Sequence, residues 1–123
     1  MKVIMLSGPS RTGKTTVINE VHRLLVGHYF TGNRHEDFET TITHNGLTIA
    51  FVSAGDLARE TKNAFQKYSA LGCDILICAH NQRFVTPLRA IQRFTNVVIQ
   101  KTMPFRDDTS CRIDANEIIR NIP

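Results

Sequence analysis

Cysteine is scarce: the chain has three, Cys73, Cys78 and Cys111, none in a CxxC or Cys/His spacing. The odd number and the missing spacing argue against a disulfide framework or a zinc site and fit a reducing cytoplasm. Long apolar runs are also lacking, each falling far short of the roughly eighteen residues a membrane span needs, so no membrane partner is expected. The amino-terminal run Lys2–Ser7 is too short for a signal peptide and passes straight into a glycine-rich turn, so it reads as a buried strand. No low-complexity tract, internal repeat or linker divides the 123 residues, and one domain over 1–123 is the expectation. Nor do the fifteen Lys and Arg form a run, although they outnumber the eleven Asp and Glu by four. Such dispersed charge reads as solvated surface, and a nucleic-acid partner is not favoured.

What the chain does contain is an alternation of short apolar runs with helical periodicities. KVIMLS at 2–7 predicts a strand buried on both faces; Val17, Ile18, Val21, Leu24 and Leu25 then recur at helical spacing from Lys14 until Gly27. Residues 28–37 carry no periodicity and read as a loop. Asn45-Gly46 between two strand-like stretches predicts a hairpin. Leu57, Thr61, Ala64, Phe65 and Tyr68 mark one helix face, and DILICA at 74–79 predicts a second buried strand. Thr86-Pro87 predicts a helix start with Thr86 as cap, NVVIQ at 96–100 the last strand, and Asp114 with Glu117 a capping box opening a short final helix. This order predicts an α/β three-layer fold: a mostly parallel sheet of about five strands, helices on both faces and a hairpin around Asn45-Gly46.

Between the first strand and first helix stands Gly8-Pro9-Ser10-Arg11-Thr12-Gly13-Lys14-Thr15, a full match to GxxxxGK[ST]. Glycines there let successive backbone N–H groups turn inward on phosphate oxygens, and the helix presents its positive dipole end to the same anion. Gly8, Pro9, Ser10, Arg11, Thr12, Gly13, Lys14, Thr15 and Thr16 are therefore assigned to a nucleotide. Lys14 serves as the phosphate charge, and Thr15 as a hydroxyl ligand of Mg²⁺. MLSGPSRTGKTTVINEVHRLL looks like the opening of P-loop NTPases, and LSGPS followed by GKT is similar to nucleotide kinases such as guanylate kinase.

Three further resemblances carry different expectations. The hairpin and Ser53-Ala54-Gly55-Asp56 look like the second and third strands and DxxG switch of small GTPases, with Thr40 or Thr41 near the first switch. Here, however, Val52 occupies the place of the DxxG aspartate, and Gln100-Lys101-Thr102-Met103 that of NKxD. Without an Asp for a guanine edge, ATP becomes the default over GTP. SAGDLARE is similar to the STGDLLR-like segment of adenylate kinases, which implies that Ser53 and Arg59 contact an acceptor nucleotide. DILICAHNQR resembles RecA-like ATPases, in which a polar residue after the fourth strand senses the γ phosphate, and this points to His80, Asn81 and Gln82.

Two acids compete for the metal. Asp74 starts its strand, at the end remote from a site built on the carboxyl ends of parallel strands, and reads as structural. Asp56 follows the strand LTIAFVS and is taken as holding the metal's water, a role compatible with capping the helix after it. The catalytic set is then Lys14, Asp56, His80 and Asn81, with His80 or Asn81 orienting the attacking water. An arginine finger acting in trans would come from Arg83, Arg89 or Arg106. The expected function is ATP·Mg²⁺ binding with hydrolysis of the β–γ bond. A small nucleotide or metabolite kinase and a non-catalytic, nucleotide-dependent switch are the alternatives. Little room remains for a lid or base pocket, which favours assembly with a second copy or a protein partner.

Overall fold

The computed structural model describes residues 1–55 and 58–123. Strand β1 (Lys2–Gly8) is followed by helix α1 (Lys14–Val26), the hairpin β2 (Glu39–His44) and β3 (Leu47–Val52), helix α2 (Ala58–Ala70) and strand β4 (Ile75–Asn81). Helix α3 (Thr86–Ala90), a 3-10 turn at Ile91–Arg93, strand β5 (Thr95–Gln100) and helix α4 (Asp108–Arg120) complete the chain. The five strands lie in the order β2–β3–β4–β1–β5, parallel except for β2, which runs antiparallel to β3. This is the expected α/β sheet, with β1 enclosed between β4 and β5.

Strand periodicity divides the core into two layers. Ile4 and Leu6 of β1 pack with Val17, Ile18 and Val21 of α1 and Ala115 and Ile118 of α4. The alternate residues Val3 and Met5 pack with Ala64, Phe65 and Tyr68 of α2 and with Ile91. Both faces of β1 and β4 are thus covered, which is why these segments are continuous apolar runs. The turn between β2 and β3 places Asn45 at φ 50° and Gly46 at φ 78°, the pair of left-handed residues that a two-residue hairpin demands. At the amino edge of the sheet, Asp74 accepts the Thr48 amide at 2.8 Å, and its backbone bonds Lys2 and Thr48. Asp74 is a brace there, as its position implies.

Three element boundaries differ from the sequence reading. Strand β4 continues beyond Ala79 through His80 and Asn81, both fully inside the protein. Helix α3 is preceded by Val85 and makes no side-chain cap, so Thr86 is its first residue and not its cap. Helix α4 begins six residues before Asp114, because the Asp107 carboxylate accepts the amides of Thr109 and Ser110 and caps it. Asp114 is then an interior residue, and Lys101 claims it: the pair is 3.1 Å apart, and the two side chains are 1% and 2% exposed. The Leu57 end of the predicted α2 face, like Asp56, lies outside the described residues.

Candidate functional site

The glycine-rich loop leaves the carboxyl end of β1, and its root is held from both sides. Lys101, following β5, donates its amide to the Ser7 carbonyl at 2.8 Å, and Gln82, following β4, donates to Gly8 at 3.0 Å. Gly8 is itself so close to β5 that an added Cβ would stand 2.9 Å from the Lys101 Cβ. At the other end Gly13 takes φ +92°, a left-handed conformation that costs an ordinary residue about 1–2 kcal/mol, and its carbonyl accepts the Val17 amide. Within the loop the Thr12 hydroxyl donates to Pro9 O at 2.8 Å. The Lys14 ammonium, 6% exposed, donates to the carbonyls of Pro9 at 2.5 Å and Gly8 at 3.3 Å. The first turn of α1 has no acidic residue of its own, and its positive end faces the loop.

This loop forms one wall of a cavity of about 630 Å³, whose other walls are Ser53 and Gly55 after β3, His35 and Asp37 from the 28–37 loop, and Arg106 before α4. Gly55 comes so close to β4 that an added Cβ would meet the Ala79 carbonyl group at 2.6 Å. A second cavity of about 300 Å³ shares Gly13, Thr16, His35 and Arg106 with the first. It continues toward Lys101, Asp107, Asp108 and Cys111 at the start of α4.

The 28–37 loop, featureless in sequence, is fastened along α1. Tyr29 donates to Glu20 at 2.9 Å, and the Phe30 amide donates to Asn19 at 2.9 Å. Arg34 pairs with Asp108 at 3.0 Å, and His35 Nδ1 lies 2.6 Å from the Thr16 hydroxyl. The Phe30 and Phe38 rings stack 5.0 Å apart. Ser53, 1% exposed, takes the Phe38 amide on its hydroxyl at 2.7 Å, and its own amide donates to Phe38 O at 3.0 Å. That clamp delivers the preceding residue, Asp37, to the phosphate loop: the Thr15 hydroxyl donates to its carboxylate at 2.7 Å. Asp37 escaped the sequence reading because nothing periodic surrounds it; its place just before a strand that pairs with β3 was the one available signal. Asp56 lies outside the described residues.

His80 is 0% exposed and uses both ring nitrogens. Nε2 lies 2.7 Å from the Phe84 carbonyl, which can only accept, so Nε2 carries the proton and Nδ1 receives the Ser7 hydroxyl at 2.9 Å. Burial holds its pKa below the ordinary value, against the pull of the Phe84 carbonyl, and the Lys14 charge lowers it further. The ring as it stands has no nitrogen free for a water; it anchors the exit of β4 to β1. Asn81, 3% exposed, donates its amide to Gly55 O at 3.1 Å, and its side-chain oxygen accepts the Arg83 amide at 3.2 Å. Neither residue lines the 630 Å³ cavity.

The arginines also separate. Arg83 sits over the Phe84 ring at 5.0 Å, and Arg89 lines a groove between α2 and α3. Arg106 borders both cavities, takes φ +60°, and donates its amide to Thr12 O at 3.3 Å. It stands beside its own chain's glycine-rich loop. Arg11, at φ +61°, is exposed and borders the larger cavity.

Among the described residues no cluster of three His, Cys, Asp or Glu could hold a metal. Mg²⁺ takes one or two protein oxygens and keeps waters and phosphates, and the Thr15 hydroxyl and Asp37 carboxylate are the pair at this site that could hold one. All three cysteines are buried and free, and burial pushes the Cys78 thiol up to about 12. None of the described helices is long and apolar enough to cross a membrane.

No family model matches the chain, and no solved structure matches it. Signal recognition particle receptor FtsY proteins of three Neisseria meningitidis strains, from serogroups A, B and C, are each 30% identical to it over 114 aligned residues. The alignment covers 83% of this chain, but the chain spans only 27% of the length of those relatives. With the α/β sheet and its glycine-rich loop, the similarity supports a place in the P-loop superfamily and no narrower family.

Proposed function

We propose that the chain binds a nucleoside triphosphate with Mg²⁺ on the Gly8–Thr16 loop and cleaves its β–γ bond. The observation that carries this reading is the 2.7 Å contact of Thr15 with Asp37 at the mouth of a cavity walled by the loop. It adds a carboxylate to the one hydroxyl a phosphate loop brings. Loop amides and Lys14 would cradle the phosphates, and Lys14 would exchange its carbonyl partners Gly8 and Pro9 for phosphate oxygens. Thr15 and Asp37 would hold the metal, which neutralises phosphate charge when bound; Asp56 remains a candidate for the metal's water. Arg106 would reach the phosphates in cis, and the smaller cavity beside it would take the nucleoside. ATP stays the default, since Gln100-Lys101-Thr102-Met103 offers no Asp to a guanine edge. His80 and Asn81, which do not line the cavity, would act at a distance, His80 by fixing Ser7 and Asn81 by fixing Gly55.

A nucleotide-dependent switch is favoured as a second reading by the same loop. Asp37 and His35 lean on Thr15 and Thr16, so a metal claiming the Thr15 hydroxyl would loosen or tighten the whole 28–37 segment. Nothing comparable favours the kinase, since the Ser53 hydroxyl is already spent on Phe38.

The test is a binding and product assay across the four triphosphates with a panel of monophosphates. Hydrolysis without an acceptor, lost in Lys14→Ala and reduced with a raised Mg²⁺ requirement in Asp37→Asn, is the expected result. Tight binding without turnover favours the switch, and turnover only with a monophosphate favours the kinase. Absence of Mg²⁺-dependent binding of any triphosphate refutes the reading.

A further inference from the structure

The charge of the chain is not evenly placed. Residues 58–94 hold six cations, Arg59, Lys62, Lys67, Arg83, Arg89 and Arg93, against two acids, Glu60 and Asp74. That net +4 equals the formal charge of the whole chain, so the remaining residues carry nine of each sign. Ion pairing follows the same division. Among the described residues Arg23, Arg34, Lys101 and Arg120, all outside this segment, are paired with carboxylates, and within it only Lys67 is, to Glu39. Lys62, Arg89 and Arg93 have no ion pair among the described residues.

These three unpaired cations converge. They line a groove of about 250 Å³ between α2 and α3, on the sheet face opposite α1 and α4, together with Gln66 and Thr86. Its floor is Phe65, 1% exposed, and its rim is Phe94, half-buried and edge-on to Phe65 at 6.0 Å. An arginine without a carboxylate beside an accessible aromatic edge is the combination that holds a phosphodiester chain and stacks a base.

We infer that the α2–α3 groove is a second binding site, for single-stranded nucleic acid: Lys62, Arg89 and Arg93 take successive phosphates, and one base lies against Phe94. A concave groove with an aromatic rim fits a strand better than a flat anionic surface. The inference is independent of the nucleotide reading, which concerns the edge of the sheet and not this face.

The probe is a labelled oligothymidylate, or its oligouridylate counterpart, of about twelve nucleotides, followed by anisotropy against salt. Three single-strand phosphate contacts predict a log–log salt slope of about −2. Lys62→Gln/Arg89→Gln/Arg93→Gln, all exposed positions, should weaken binding at least about tenfold and bring the slope close to zero. Phe94→Leu should lower affinity without changing the slope, and Lys14→Ala should change neither. The inference is overturned if the triple variant binds like the parent chain, if Lys14→Ala abolishes binding, or if no oligonucleotide binds at low salt. Equal competition by phosphatidylserine vesicles or polyglutamate would also overturn it, by assigning the groove to another polyanion.

Discussion

Removing the Asp114 carboxylate should be among the most damaging single changes in this protein. Asp114 accepts the Lys101 ammonium at 3.1 Å, the Thr102 amide at 2.9 Å and the Thr102 hydroxyl, and both members of the ion pair are almost wholly out of water. Asp114→Asn keeps the size and one acceptor but leaves Lys101 as a buried charge whose remaining partner is the Thr102 carbonyl at 3.0 Å. Breaking a buried pair from one side typically costs about 3–5 kcal/mol, against a total stability of about 5–15 kcal/mol for a domain. At this chain length each kcal/mol moves the melting temperature by about 3–5 °C, so a fall of about 9–25 °C is expected. Thermal unfolding followed by circular dichroism measures the shift, and urea denaturation the free energy. Adding Lys101→Met should recover part of the loss, because the double variant has no orphaned charge. Asp114→Asn within about 1 kcal/mol of the parent would refute the reasoning, by showing that Lys101 finds water when its partner is gone.

Two further outcomes test other contacts. Gly55→Ala drives a Cβ into the Ala79 carbonyl, which is strand backbone with nowhere to move, and should lower the urea midpoint by the equivalent of about 1–3 kcal/mol. Acid should act first through His80: its folded pKa is depressed, so the unfolded chain takes a proton that the folded chain refuses, and stability falls as pH drops below the unfolded value of 6.5. Glu20, held below its ordinary range by the Arg23 guanidinium, adds a separate loss only below about 4.5. Denaturation midpoints across this range check the order, and a flat profile between about pH 7 and 5 rules out the His80 assignment.

The glycine-rich loop and the Asn45-Gly46 turn were legible because their chemistry is local: each residue type is required by its own backbone conformation or by the next few amides. The start of α4 was misread for the converse reason. Asp114 and Glu117 have capping-box spacing, but Lys101 fixes Asp114 from another strand, while Asp107 performs the capping. His80 and Asn81 looked like a polar strand exit, since nothing along the chain reveals that Ser7, Phe84 and Gly55 enclose them. Asp37 was missed because Ser53 and Phe38 position it, and that contact spans 15 residues. In the same way the choice of Arg106 over Arg83 and Arg89 depends on which loop folds beside Gly13, a fact of packing with no sequence signature.

The place of β1 in the sheet also sets a schedule. The strand that leads into the phosphate loop is made before both of its neighbours, β4 and β5, so it stays unpaired until residue 81 has left the ribosome and is paired on one edge alone until residue 100 has. Both bonds that hold the root of the loop, from Gln82 and Lys101, come from that later chain. Long-range parallel pairing of this kind is slow and leaves apolar surface exposed meanwhile. The segment that announces itself earliest in the sequence is therefore among the last to become a working surface, and a nascent chain cut short before β5 would hold the root of the loop by the Gln82 bond without the one from Lys101.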